Sequence, residues 1–169
     1  RDPLSQLEQP TGVNMIYVSK EVAANDVAGQ PKLSRSEIWR GLVMKAENAL
    51  PFVPGMAKCD VVSRSENGLV RDIVFRGEDA RERITLYPED KVVFVRESGN
   101  VDGFIVNEIL GDDSDLRLRF SFALQLVDAP SDSAEEREFR AIMERDYVKA
   151  VDATLGAIRK MVADPAYAA

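Results

Sequence analysis

The pattern of apolar and polar positions divides the chain into a central alternating part between two helical parts. From Cys59 to Val127, apolar residues recur with a period of two, which is typical of strands with one buried face. Turn residues interrupt this stretch, and the pair Asn67-Gly68 is typical of a type I′ hairpin. Further turns are expected at 77–79, 88–90, 99–100 and 111–115. The stretch therefore predicts six successive antiparallel strands.

The last of these strands shows the clearest alternation. Its apolar positions are Leu116, Leu118, Phe120, Phe122, Leu124 and Leu126. Polar and small residues occupy the positions between them, so one face is expected to be buried and the other to face water. This is the pattern of an antiparallel sheet that is covered on one side.

Helical spacing flanks the alternating part. Ser34 and Glu37 form a capping-box pattern ahead of a helix that ends before Pro51. Ser133 with Glu136 begins a final helix, along which apolar residues recur at i, i+3 and i+4 until about 163. Residues 15–23 predict one more strand before the first helix. The order of elements indicates an α+β fold with about seven strands and a long C-terminal helix.

The length of 169 residues fits one domain with a sizeable core. We expect this domain to span residues 15–163, with a C-terminal tail at 164–169. Residues 1–14 are polar, contain Pro and Gly, and show no periodicity. They are either a linker remnant ahead of a native start at Met15 or a native disordered arm.

Charge and composition exclude several function classes. The net charge of −7 disfavours nucleic acid and anionic membrane surfaces as partners. With no His and one Cys, the usual transition-metal sites and His-dependent catalysis cannot be assembled, so no metal and no cofactor are expected. No apolar run reaches the ~20 residues that membrane insertion needs, and no signal peptide is recognised. A cytoplasmic protein, monomeric or homodimeric, is the expectation.

Two smaller features have simple interpretations. Residues 112–115 (DDSD) lack the spacing and the final Glu of a calcium-binding EF-hand loop, so a hairpin turn is expected there. Cys59 stands at the start of a predicted strand and is expected to act as a small buried residue.

The order strand, helix, six strands, long helix resembles the helix-grip arrangement of the SRPBCC superfamily, which includes START and birch-pollen-allergen-like proteins. Three segments are similar to its AtaL-like branch, a set of uncharacterised or pathway-associated proteins: 33–42 (LSRSEIWRGL), 52–55 (FVPG) and 81–86 (RERITL). The resemblance implies a curved sheet wrapped around the C-terminal helix, with a cavity between them. Superfamily members include lipid and hormone carriers, polyketide cyclases and aromatases, and chaperone cofactors, so the fold alone does not decide the activity.

In such a fold, polar residues on the inward face of the sheet are the candidate site. Arg71 alternates with Leu69 and Ile73, and Glu82 shares a face with Ile84. If 88–90 is a three-residue loop, Glu82 lies opposite Arg96. The sequence therefore predicts a charged group on the cavity side, in which Arg71 or Arg96 holds a carboxylate, phenolate or enolate oxygen. The alternatives are a purely structural ion pair that fixes the register at the end of the sheet, or a register slip that turns both residues outward.

Several other residues are candidates for the cavity wall. Tyr147 lies in the apolar stripe of the final helix, where its hydroxyl binds either a ligand oxygen or the backbone. Trp39 belongs either to the core or to the mouth of the cavity. Phe120 and Met143 are expected where the last strand faces the final helix. On the preceding strand, either Asn107 or Glu108 faces inward.

These observations predict a protein that binds a small hydrophobic molecule, aromatic or polyketide-like, in an internal cavity of roughly 300–1,000 Å³. One alternative is a cyclase, dehydratase or isomerase that uses Glu82 or another carboxylate as a base and Arg71 or Arg96 as the oxyanion partner. Another is a protein-interaction module of the chaperone-cofactor type, which would have a filled interior and an exposed apolar patch.

Overall fold

A computed structural model describes residues 15–168, whose strands form one antiparallel sheet. The strands are β1 (Ile16–Ala23), β2 (Met56–Ser65), β3 (Gly68–Phe75), β4 (Glu78–Tyr87), β5 (Lys91–Ser98), β6 (Val101–Leu110) and β7 (Arg117–Leu126). Their spatial order is β1-β7-β6-β5-β4-β3-β2, so only β1 is out of sequence order. The predicted α+β fold with seven strands is confirmed. The segment predicted at 1–14 lies outside the described residues.

The first helix, α1 (Arg35–Glu47), begins at the predicted capping box. Glu37 N–H donates to Ser34 Oγ at 3.1 Å, and Ser34 N–H donates to Glu37 Oε1 at 3.0 Å. The C-terminal helical region begins after Ser133, whose Oγ accepts from Glu136 N–H. It consists of α2 (Ala134–Ile142), a π-helical segment (Met143–Tyr147) and α3 (Lys149–Ala163), and a short 3₁₀ turn (Pro165–Ala168) follows. In the described range, no helix combines the length and the apolar character needed to cross a bilayer.

The π-helical segment corrects the prediction of one continuous α-helix. Its cause is visible in the apolar stripe Phe139, Met143, Tyr147, Val151 and Leu155, whose members are always four residues apart. In a regular α-helix each such step rotates the side chain by about 40°, so the stripe would turn away from the sheet. A π-helical turn accommodates one extra residue and keeps the stripe on one side.

The strand register on the cavity side is the predicted one. Glu82 pairs with Arg96, Ile84 with Phe94, and Leu86 with Val92. The three-residue loop at 88–90 therefore sets which side chains of β4 and β5 share the inner face.

The turn between β2 and β3 differs from the prediction. Ser65 pairs with Gly68, so the turn residues are Glu66 and Asn67, and neither Asn67 nor Gly68 has the positive φ of a type I′ turn. Gly68 is needed for another reason, because a Cβ there would lie 2.0 Å from the carbonyl oxygen of Ile84. Consecutive positive φ angles occur instead between β3 and β4, at Arg76 and Gly77.

The core lies between the sheet and the helices, as the alternation in β7 predicts. Leu118, Phe120 and Leu124 are almost wholly buried, together with Met143 and Val151 of the C-terminal helical region. They belong to one apolar cluster that also contains residues of α1. This cluster leaves a space between β3–β7, the end of α1 and the π-helical segment.

Candidate ligand-binding cavity

That space is a cavity of about 390 Å³. Its walls come from β3–β7, from Lys45 near the end of α1, from the loop 53–55 with Met56 at the start of β2, and from the C-terminal helical region. The apolar part of the wall is formed by Val53, Pro54, Met56, Ile73, Phe75, Phe94, Ile105, Phe120, Phe122, Ala150 and Ala153. A volume of this size lies within the range of small-molecule sites in proteins.

Five of the seven residues proposed from the sequence line this cavity: Arg71, Glu82, Arg96, Phe120 and Tyr147. Trp39 and Met143 do not. Trp39 is half-buried and packs against the apolar cluster, because α1 turns its neighbour Ile38 and not Trp39 fully inward. Met143 has no exposed surface and is enclosed by the core at the start of the π-helical segment.

The charged group on the inner face is a carboxylate held between two guanidinium groups. Glu82 Oε1 accepts from Arg71 Nε at 3.1 Å and from Arg71 Nη2 at 2.9 Å, and Oε2 accepts from Arg96 Nε at 3.2 Å. The side chains of Arg71 and Glu82 are 3% exposed and that of Arg96 is 8% exposed. The hydrogen bonds offset the cost of burying these charges.

Arg71 also binds the last turn of α1. Its Nη1 donates to the carbonyl oxygens of Lys45 at 2.8 Å and Ala46 at 2.9 Å, which have no partner within the helix. Four of its five N–H groups are thereby used. Arg71 connects α1, β3 and β4, and this favours the structural interpretation of that residue.

Arg96 and Tyr147 have donors left for a ligand. Within the described part of the chain, the hydrogen bonds of Arg96 involve only its Nε, and no partner is found for the Tyr147 hydroxyl. The Tyr147 ring is held by edge contacts with Phe75 and Phe139, at centroid distances of 5.7 and 6.0 Å. Burial raises the pKa of Tyr147, so its hydroxyl remains a hydrogen-bond donor.

The sequence interpretation missed Lys45. Its Nζ donates to Asn107 Oδ1 at 2.9 Å and lies 4.6 Å from the ring centroid of Phe94 and 4.9 Å from that of Phe120. Burial, and to a smaller extent the charge of Arg71, lower the pKa of Lys45 to about 7. The available signal was its helical spacing from Ile38 and Leu42, which places it on the buried stripe of α1.

On β6, the residue that faces the cavity is Asn107 and not Glu108. Asn107 is 1% exposed and lines the cavity, whereas Glu108 pairs with Arg119 of β7 on the opposite face of the sheet. Its Oδ1 accepts from Lys45, and its Nδ2 is buried without a partner among the described residues.

Charged residues form the exposed end of the cavity. Arg76, in the turn between β3 and β4, lies 3.6 Å from Asp146 of the π-helical segment. Lys149 lies 3.6 Å from the same carboxylate. Arg76 N–H also donates to Gly55 O of the loop 53–55 at 2.9 Å. Two loops and the C-terminal helical region therefore meet where the cavity approaches solvent.

Comparison with known families identifies the chain. Residues 18–165 match the family described as acetylaranotin biosynthesis cluster protein L, or AtaL. The chain belongs to the AtaL family. No curated protein is significantly similar to this AtaL-family chain in sequence.

Solved structures show which fold the AtaL-family chain shares. The Zhui aromatase/cyclase from Streptomyces sp. R1128 is 18% identical, with a TM-score of 0.69 over 90% of this chain and 98% of that one. A START superfamily protein from Mycobacterium smegmatis is 16% identical, with a TM-score of 0.59 over 86% and 98%. The Aha1 dimer from Colwellia psychrerythraea is 14% identical, with a TM-score of 0.56 over 86% and 97%. The fold is the helix-grip fold of the SRPBCC superfamily.

Proposed function

We propose that this AtaL-family chain binds a small hydrophobic molecule, aromatic or polyketide-like, in the cavity between the sheet and the C-terminal helical region. The observation that carries the proposal is the cavity of about 390 Å³, whose wall is mainly apolar and contains five aromatic residues: Phe75, Phe94, Phe120, Phe122 and Tyr147. A filled interior would have favoured a protein-interaction module instead.

The polar end of the ligand is expected to be an oxygen held by Arg96 and Tyr147. Both residues line the cavity, and both have donors that are not used within the described part of the chain. A charged guanidinium N–H bound to a carboxylate, phenolate or enolate oxygen is a strong hydrogen bond. Arg71, which the sequence placed in the same role, supports the site by holding Glu82 and the end of α1.

An enzyme of the cyclase, dehydratase or isomerase kind is the second candidate. The likeness to the Zhui aromatase/cyclase concerns the fold, and the buried amine of Lys45 is the group in the cavity suited to such chemistry. Glu82 is poorly suited to act as the base, because each of its oxygens accepts from a guanidinium.

The test compares two probes of similar shape, naphthalene and 2-naphthoate. Both are expected to bind the wild-type chain, and Arg96→Met is expected to weaken naphthoate binding by roughly 1.5–3 kcal/mol while naphthalene binding changes little. Arg83→Met is the matched control, because Arg83 is an exposed neighbour that pairs with Glu97 outside the cavity. Failure of the wild-type chain to bind naphthalene would contradict the proposal. Equal losses of naphthoate binding in both variants would contradict the role of Arg96.

A further inference from the structure

Lys45 presents a buried amine to the cavity. Its Nζ lies over two aromatic rings, and its side chain is among those that line the cavity. Among the described residues, no carboxylate lies within ion-pair distance of it, and the oxygens of Glu82 are bound by Arg71 and Arg96. The hydrogen bond to Asn107 Oδ1 involves one N–H of the amine. The nitrogen is therefore positioned by a neutral amide and not neutralised by an ion pair.

Asn107 adds a second unusual group beside this amine. Its Nδ2 is buried and finds no acceptor in the described part of the chain, although a buried donor without a partner is costly. The Oδ1 that binds Lys45 and the free Nδ2 belong to the same amide. An acceptor oxygen bound by Nδ2 would consequently lie next to Lys45 Nζ. The carbonyl group of a ligand in the cavity supplies such an oxygen, together with an electrophilic carbon.

We propose that Lys45 and Asn107 form a carbonyl-binding site, in which the amine of Lys45 forms an imine with a hydrophobic aldehyde or ketone held in the cavity. This inference rests on the proposed binding function and names the chemical class of the ligand. Nζ attacks the carbonyl carbon, a C–N bond forms, and the π electron pair of the carbonyl moves to its oxygen. A proton passes from nitrogen to that oxygen and gives a carbinolamine. The nitrogen lone pair then forms the C=N bond as the C–O bond breaks, and the oxygen leaves as water with both amine hydrogens, so no oxidant or reductant is needed.

The electrostatic surroundings of Lys45 favour the neutral amine that this reaction requires. Burial lowers the pKa of Lys45 most, and Arg71 of β3 lowers it further, to about 7. Glu82 of β4 and Cys59 of β2 act in the opposite direction with smaller effect. Desolvation and a neighbouring cation are the two ways in which proteins make a lysine nucleophilic. When the imine takes up a proton from solvent, the rings of Phe94 and Phe120 stabilise its positive charge.

Reductive trapping tests the inference with 2-naphthaldehyde as the probe and sodium cyanoborohydride as the reductant, at pH 7. We expect Lys45 to gain the mass of the aldehyde less one oxygen atom, at least tenfold faster than the exposed Lys58 and Lys149. Lys45→Met should abolish this product, and Lys58→Met, at an exposed lysine outside the cavity, should leave it unchanged. Asn107→Leu should slow trapping at least tenfold while naphthalene still binds.

Naphthalene binding separates failure of this inference from failure of the binding function. If the wild-type chain binds naphthalene but its Lys45 is modified no faster than Lys58, the imine site is wrong and the cavity function stands. If naphthalene does not bind, both are overturned. Naphthalene binding to Lys45→Met shows that a lost product in this variant reflects the missing amine and not an unfolded chain.

Discussion

Arg71 and Arg96 share the carboxylate of Glu82 but differ in the donors that remain to them. Arg71 divides four hydrogen bonds between Glu82 and the last carbonyls of α1, whereas Arg96 uses its Nε. Arg71 binds the end of a helix and neutralises a buried carboxylate, so its main contribution is to the stability of the fold. The two arginines should therefore respond differently to removal.

We expect Arg71→Leu to destabilise the domain by roughly 3–5 kcal/mol, because it leaves Glu82 with one partner and the carbonyls of Lys45 and Ala46 with none. Urea unfolding of the purified variant measures the loss. A variant as stable as the wild type, with weakened naphthoate binding, would show instead that Arg71 serves the ligand.

Lys45 should make stability depend on pH. Its pKa falls from 10.5 in the unfolded chain to about 7 in the fold, so the unfolded chain binds more protons between these values. The free energy of unfolding must then rise with pH from about 7 to about 10.5. Below pH 7 the buried charge carries its full cost. Lys45→Met should remove this rise and stabilise the domain most at low pH, as measured by urea unfolding at pH 6 and pH 9.

Lys149→Met is the control for that experiment, because Lys149 is exposed and its side chain pairs at the rim. It should keep the pH dependence of the wild type. A Lys45→Met variant with the same pH dependence as the wild type would show that Lys45 titrates as it does in the unfolded chain.

At the residue scale, period-two alternation placed Arg71, Glu82 and Arg96 on one face, and the loop length at 88–90 set the Glu82–Arg96 pair. The distribution of hydrogen bonds among them could not be predicted, since it depends on where the end of α1 packs. Lys45 was missed because a lysine next to an apolar stripe usually extends its amine to solvent. Only the three-dimensional position of Asn107 shows that this amine remains inside.

At the element scale, the capping box of α1 is a local signal that the structure reproduces. Ser34→Ala removes the acceptor of the Glu37 amide, and we expect a loss of about 1 kcal/mol in unfolding free energy. Ser63→Ala, at an exposed position of β2, should change stability by less than about 0.5 kcal/mol. Thermal unfolding of both variants checks this, and equal stabilities would show that water replaces the cap at no cost.

Elements whose form depends on packing were predicted less well. The sequence predicted the position of the hairpin at Asn67-Gly68 but not its turn type. Gly68 is required because the carbonyl of Ile84 on β4 leaves no space for a side chain, and not because of the turn geometry. The π-helical segment was missed because steps of four residues fit both helix types locally. Only the rotation accumulated from Phe139 to Leu155 distinguishes them, and it matters because the whole stripe must face the sheet.

At the scale of the whole molecule, the interface between the sheet and the helices contains both a packed core and, at one end, a cavity. Leu118 and Leu124 are sealed in the core, while Phe120 and Phe122 belong to both the core and the cavity wall. The AtaL family and the fold followed from the order of elements and three short segments. The ligand of the cavity could not be predicted in this way. Its recognition depends on a few polar atoms, and alternation alone does not show which inward-facing polar residues keep a free donor or acceptor.

Access to the cavity gives a prediction at this scale. Asp146 pairs with Arg145 and Lys149 on its own helical region, and with Arg76 across the exposed end of the cavity. Hydrogen bonds from Arg145 lower the pKa of Asp146 to about 2, so the carboxylate stays charged at neutral pH. Asp146→Asn should weaken the link to Arg76 and allow the turn between β3 and β4 to move away.

We expect naphthalene to enter and leave Asp146→Asn several-fold faster than the wild type, with little change in Kd, because Asp146 lies at the exposed end of the cavity and does not belong to its apolar wall. Stopped-flow fluorescence measures both rates. High salt should accelerate the wild type in the same direction, since the pair is partly exposed and therefore screened. Asp152→Asn, an exposed change on α3, should leave both rates unaltered. Unchanged rates in Asp146→Asn would mean that ligands reach the cavity without separating Arg76 from the helix.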